Sequence, residues 1–243
     1  MTTRLLPRVL SVAVAGIAAA GASAVTFTVT VTNLGPQPLA PVFYATSNTS
    51  FDIFTNGAAA SSAIEMEAEE GSPTGLLGLA SAAGSNVMSF GATTGPFLTG
   101  QFRTFTIDAD LSHRWFQFAS MLGMTNDAFI GSAIGVGDNQ IDLFQGGQPI
   151  TATFTQSFLN VWDAGTEVNS ELLAHVPPNM GAGTTEGGVV MQPHEGITGR
   201  GDISTSFDWY GGDVARITIA PVPEPATLSA LALGVVALLR RRK

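Results

Sequence analysis

Alternation of apolar and polar positions is the dominant signal along the chain. Val25 to Leu34 (VTFTVTVTNL) sets an apolar residue at every second position between threonines, the period-two pattern of a half-buried strand. A Gly-Pro-Gln-Pro break follows, and Val42 to Asn48 (VFYATSN) predicts the next strand. Arg103 to Leu111 (RTFTIDADL) predicts another, and Trp115 to Leu122 (WFQFASML) is an apolar run that reads as a core strand. The polar stretch GMTNDAFIG after it reads as a loop, and Pro149 to Trp162 (PITATFTQSFLNVW) alternates up to an acidic segment. Asn179 to Asp202 is Gly-rich and reads as loops with one short strand. Ser204 to Tyr210 and Val214 to Val222 flank Gly211-Gly212-Asp213 and predict a closing hairpin. Ser61 to Gly71 (SSAIEMEAEEG) instead has helix chemistry: a serine to cap it, good helix formers inside and a glycine to end it. Short strands between turn clusters predict an all-β fold, an antiparallel β-sandwich with one short helix and long loops. No internal repeat of fixed period is present.

The two ends follow other patterns. At the N-terminus, Arg4 and Arg8 precede an apolar stretch from Val9 to Ala20, and Ala22-Ser23-Ala24 has the small-residue spacing of a signal-peptide cleavage site. Residues 1–24 are therefore expected to be a signal peptide. At the C-terminus, Pro223-Glu224-Pro225 leads into 14 apolar or small residues, Ala226 to Leu239, and then Arg240-Arg241-Arg242-Lys243. That run is shorter than the roughly 20 residues a helix uses to span a bilayer, and its basic end is expected to stay cytoplasmic. This order of parts resembles the PEP-CTERM sorting signal of Gram-negative bacteria. The resemblance implies a short transmembrane helix, a transient inner-membrane intermediate, and processing near Pro223-Glu224-Pro225 by the membrane protease exosortase. The protein would then reach the cell surface or the extracellular space.

Setting the ends aside changes the charge. The body, residues 25–221, keeps four of the ten basic residues (Arg103, Arg114, Arg200 and Arg216) against 18 carboxylates, a net charge of −14. Such a surface argues against binding nucleic acid or anionic lipid and is compatible with cations, especially the hard, oxygen-seeking Ca²⁺. No cysteine is present, which excludes a disulfide framework, a thiol nucleophile and Cys-ligated metal. One body of this length can bury enough surface to fold without disulfides.

The candidate chemistry centres on Trp162 to Ser170 (WDAGTEVNS), where Asp163 and Glu167 stand four residues apart around Gly165. On residues alone the pair fits a solvated turn, a catalytic acid pair or cation ligands. Enzyme patterns are otherwise weak. No G-x-S-x-G elbow occurs, and His194-Glu195 is not followed by the second histidine of a zincin helix. His113, His175 and His194 are dispersed along the chain, and His194 reads as a hydrogen-bonded loop residue. A paired-carboxylate glycoside hydrolase is the weakest alternative. The tripeptide Arg200-Gly201-Asp202 reads as chance, and Trp115, Trp162 and Trp209 as core or hairpin anchors, with Trp209-Tyr210 leaving a sugar-binding reading open.

Several strings carry a further resemblance. VTVTNLGPQPLAPVFYATSNTSFDIFTNGAAAS, EMEAEEG, FASMLGMTNDAFIG, WDAGTE and HEGITGRGD, in this order over nearly the whole body, are similar to the spondin N-terminal domain family. The resemblance implies a C2-like antiparallel β-sandwich over residues 25–221 that binds one calcium ion. Its ligands would be Asp127, Asp163 and Glu167, with Asn126-Asp127-Ala128-Phe129 departing from the animal members' Pro-Asp-Trp type of sequence. Three converging carboxylates repel unless a cation joins them, and Ca²⁺ accepts the irregular oxygen set that two loops supply. The expected protein is thus not an enzyme but an exported calcium-binding module, structural or adhesive. Its expected partner is a surface protein or the extracellular polysaccharide of a biofilm matrix. A carbohydrate-binding module is the alternative.

Overall fold

A computed structural model describes residues 24–135, 137 and 139–223. The expected signal peptide up to Ser23, Glu224 and Pro225 of the sorting tripeptide, and the apolar and basic segments after them lie outside the described residues. Within them, the strands in chain order are β1 (Val25–Asn33), β2 (Phe43–Ser47), β3 (Val87–Ala92), β4 (Phe102–Ala109), β5 (Trp115–Met121) and β6 (Ala128–Ser132). They continue with β7 (Ile141–Asp142), β8 (Phe144–Gln145), β9 (Gln148–Pro149), β10 (Ala152–Ser157), β11 (Val161–Asp163) and β12 (Asp213–Pro221). Helices α1 (Ser62–Glu70) and α2 (Thr74–Ala82) fall between β2 and β3.

Two antiparallel sheets form the sandwich. The first has the order β10-β12-β1-β4, and the second β11-β6-β5-β2-β3 with β7 also paired to β5. The threonine alternation of β1 explains its orientation. Phe27, Val29 and Val31 are fully buried, while the threonines between them face outward, where Thr30 shares a hydroxyl hydrogen bond with Thr104 of β4. Each such buried side chain stabilises the fold by roughly 1.5–3 kcal/mol. The same inward face collects Ile107 of β4 and Ile217 and Ile219 of β12, packed against Phe116, Phe118 and Ile130 of the second sheet.

The central strands of the second sheet, β5 and β6, are buried on both faces. Phe43, Ala45, Ala119, Phe129 and Trp162 point away from the first sheet into a second apolar layer with Ile64, Ala68 and Leu76 of the two helices. That double burial is why β5 reads as a continuous apolar run rather than an alternation. Its one amide, Gln117, is matched group by group: it accepts from the Ile53 N–H and donates to Ser47 Oγ and the Phe51 carbonyl.

Four sequence expectations change. A second helix, α2, joins the predicted one. Ala128 to Gly131, expected in a loop, belong to strand β6, with Ala128, Phe129 and Ile130 all fully buried. The run from Pro149 to Trp162 is not one strand: Phe158–Asn160 forms a single 3₁₀ turn, capped by Ser157 and Asn160, and carries the chain from β10 in the first sheet to β11 in the second. The closing hairpin is absent, because Thr205–Phe207 is a 3₁₀ turn that Ser204 caps by accepting the Ser206 N–H. Strand β12 pairs instead with β1 and β10. The Gly-rich segment contributes isolated bridges, Asp163 with Met191 and Glu167 with Thr185, among the described residues.

Candidate metal centre

The crossover at Phe158–Asn160 sets the position of the acidic loop. It delivers β11 against β6 in a register that places Asp163 opposite Ala128, one residue from Asp127. The Ala164 N–H donates to the Asp127 carbonyl and closes the ladder. On its other side β11 is bridged by Met191, and the His194 N–H donates to the Val161 carbonyl, so the Gly-rich segment lies along the same strand. Gly165 turns the chain immediately after β11. Its φ of 67° is a left-handed conformation, and a Cβ there would lie 2.6 Å from the Val189 nitrogen, so only glycine fits.

Asp127, Asp163 and His194 are the residues that meet. One potential ligand atom from each lies within 4.8 Å of the others. Asp127 is fully buried. Its Oδ2 accepts the N–H groups of Thr166 (2.8 Å) and Glu167 (3.1 Å) and the Thr166 hydroxyl. Its Oδ1 is buried with no hydrogen-bond partner. Asp163 Oδ1 accepts the Gly165 N–H at 2.8 Å, and Oδ2 accepts the Asn169 amide at 3.0 Å. Burial pushes the Asp127 carboxyl up to about 7, and the Asp163 charge adds to it, against the two backbone N–H donors. The pair is therefore electrostatically strained, with one carboxylate oxygen unsatisfied.

His194 keeps the role expected of it, a hydrogen-bonded loop residue, but beside the acids. Burial lowers its pKa, so the ring is neutral. Its Nδ1 accepts the Gly196 N–H at 3.1 Å, which leaves the proton on Nε2, where it is donated to Asn169 Oδ1 at 3.0 Å. A metal-bound imidazole nitrogen must carry a free lone pair, and in this tautomer Nε2 has none. The ring instead orients Asn169, which holds Asp163.

Glu167 is turned elsewhere. Its backbone supports Asp127, but its carboxylate is not in the group that converges within 4.8 Å. Its Oε1 is 4.0 Å from His175 Nδ1. The structure thus gathers two of the three acids implied by the spondin resemblance and directs the third into a separate pocket. There, burial pushes Glu167 up to about 7, with Asn126 opposing and the Glu69 charge adding.

Glu171 gave no signal in the sequence. It is almost fully buried, and its two oxygens accept the N–H groups of Thr198, Gly199 and Arg200 and the Thr198 hydroxyl, at 2.6–2.8 Å. These donors are 27 to 29 residues away in sequence, so no local motif marks them. The Glu171 side chain thereby ties the HEGITGRGD segment to the acidic loop. Of the tryptophans, Trp162 and Trp209 are core residues and Tyr210 is the exposed aromatic of that region.

Residues 221–243 match the family model of the PEP-CTERM protein-sorting motif. The motif implies an exported protein sorted to the cell surface, and signals of this kind are processed by exosortase. The match covers Pro223-Glu224-Pro225 and the apolar and basic segments, and leaves the sandwich unassigned. No curated protein matches the chain. Among the described residues no helix is long and apolar enough to cross a membrane.

Proposed function

We propose that the protein is an exported, non-enzymatic calcium-binding β-sandwich that acts structurally or adhesively at the bacterial surface or in its polysaccharide matrix. The observation that carries the reading is Asp127 Oδ1, a buried, unpartnered carboxylate oxygen beside a second carboxylate. An unpaired buried charge of this kind is costly, and a hard cation held by Asp127 and Asp163 removes the cost. The tautomer of His194 favours an oxygen-seeking cation over one that prefers imidazole. The β-sandwich and the resemblance to the spondin N-terminal domain support the same reading. Delivery through an inner-membrane intermediate in a Gram-negative host belongs to the proposal, as do the division at residues 24 and 221 and the matrix partner.

Calcium bound only to the folded state stabilises it by about 2.7 kcal/mol at one hundred times its Kd. For a domain of this size that raises the Tm by roughly 5–10 °C. Thermal unfolding followed by circular dichroism is expected to show that rise with Ca²⁺ and its reversal with chelator. Asp127→Asn and Asp163→Asn should each abolish it. A full calcium shift in the double variant would overturn the site.

A further inference from the structure

An open cleft of about 460 Å³ lies between the 193–198 loop and the turn at Asp208–Tyr210. Glu195, Thr198, Asp208 and Tyr210 line it together with the buried Ile197. Tyr210 is 59% exposed, and its ring rests against Phe158 at a centroid distance of 4.7 Å. The aromatic is thus anchored by one neighbour while most of its surface stays in solvent. The polar groups are fixed as well. Asp208 Oδ1 accepts the Ile197 and Tyr210 N–H groups, each at 3.2 Å, so this carboxylate joins the two walls and keeps Oδ2 as a further acceptor. Gly196 permits the approach: its φ is 88°, and a Cβ there would lie 2.6 Å from Asp208 Oδ1.

The rest of the 193–200 loop is held from behind. His194 donates to Asn169, and Glu171 accepts the N–H groups of Thr198 and Arg200. The Thr198 hydroxyl donates its proton to Glu171 and so faces the cleft as an acceptor. Arg200 donates to both oxygens of Glu195, which sets a guanidinium and a carboxylate side by side at the rim. None of these carboxylate oxygens is buried without a partner, in contrast to Asp127 Oδ1. The cleft therefore does not call for a metal ion. It offers oriented acceptors, one bank of N–H donors and a supported aromatic ring, the mixture that fixes a polyhydroxylated ligand.

We propose that this cleft is a carbohydrate-binding subsite for a neutral polysaccharide. Tyr210 stacks on the apolar face of one hexose unit, Asp208, Glu195 and Thr198 accept its hydroxyl protons, and Arg200 donates to its oxygens. The subsite deepens the adhesive role by naming its surface and its sugar; it rests on the matrix-binding part of that reading and not on bound calcium. Charge selects the polymer. The body carries a net charge of −14, and the cleft sets two carboxylates against one guanidinium, so uronate and sulfated chains are repelled. The open form of the cleft suits a chain passing across it rather than a chain end.

The test is affinity electrophoresis of the full chain, purified in detergent, through gels containing hydroxyethyl cellulose, dextran or galactomannan, with polygalacturonate as the acidic control. A neutral polymer should retard the protein, and polygalacturonate should not. Tyr210→Ala should weaken that binding roughly tenfold or more, the scale of an aromatic anchor in an interface. Tyr210→Phe keeps the ring and should bind nearly as well as the unchanged protein. Tyr210 is exposed, so the alanine variant is expected to fold, and its circular dichroism spectrum checks that. No retardation by any neutral polymer, or equal retardation of Tyr210→Ala, would overturn the subsite. Stronger retardation by polygalacturonate would overturn the choice of a neutral sugar. Tyr210-dependent binding in a protein that shows no calcium shift would support the subsite and sink the calcium site alone.

Discussion

The carboxylates of Asp127 and Glu171 are both buried, and their surroundings drive them in opposite directions. Burial alone raises the pKa of either group. At Asp127 it prevails, because a second charge lies alongside and one oxygen lacks a donor. At Glu171 the donors of Thr198, Gly199 and Arg200 outweigh burial and hold the carboxyl below its usual value of 4.5. A depressed folded pKa contributes stability that is present above the unfolded value and lost as pH falls through the folded one. Glu171→Gln keeps the shape but sets an amide among four donors, at a cost of about 1.5–3 kcal/mol. Urea unfolding at pH 7 should show that loss, and the difference between the two proteins should shrink steadily below pH 4.5. A gap that stayed constant down to pH 3 would show that Glu171 acts through packing alone. The contrast also marks what could be read from residues. Asp163 and Glu167 stand out as a spaced pair in one loop, whereas Glu171 takes its role from donors in a distant segment. The direction of the Glu167 side chain follows from Gly183, where a Cβ would overlap its Oε1, which no spacing rule reveals.

Among elements, strands whose two faces differ were legible, and elements buried on both sides or rich in glycine were not. Strand β1 alternates because one face meets solvent. Strand β6 has every side chain buried and so reads as no pattern at all. Helix α1 follows its local signals: Ser61 accepts the Ile64 N–H, and Gly71 ends the helix with a left-handed φ of 62°. Helix α2 overrides them, since Thr74–Ala82 holds two glycines and the residue before it, Pro73, makes no side-chain cap. Tertiary packing holds it instead, with Leu76 and Ala80 buried against α1 and the sheet. The two glycines have separate reasons. A Cβ at Gly75 would lie 2.8 Å from the Ala63 Cα, so this glycine lets the helices touch, whereas at Gly78 nothing lies within 4 Å. Gly78→Ala should therefore stabilise by about 0.5–1 kcal/mol, the ordinary helix-interior gain. Gly75→Ala should destabilise by about 1–3 kcal/mol through overpacking. Chemical denaturation of the pair checks both signs, and a stabilising Gly75→Ala would show that the helix contact is loose.

At the scale of the molecule, the pairing of β1 with β12 decides how the domain is presented. Phe27 opposes Pro221 and Asn33 opposes Ala215, so the chain enters and leaves the sandwich side by side at one end. The other end of β1 leads to Gln37 and Pro38, which accept the N–H groups of Met124 and Gly123 in the loop that carries Asp127. The acidic loops therefore sit about 25–30 Å from Pro221 at the end of β12, the length of a nine-residue strand. A protein held by its C-terminal segment would project those loops outward, where exported proteins meet calcium and partners. The sandwich is complete before that segment begins: β12 ends at Pro221, and Val222 adds a single hydrogen bond to the Thr26 carbonyl. Deleting residues 224–243 removes none of the described strands and no residue of the proposed calcium site. The truncated chain is expected to keep the Tm of the full protein within about 2 °C, to respond to calcium alike, and to lose its placement at the cell surface. Melting curves and surface labelling of the exporting host measure the two halves separately. A truncated chain that lost its calcium response would show that the sorting segment supports the acidic loops, against the division of labour drawn from the strand register.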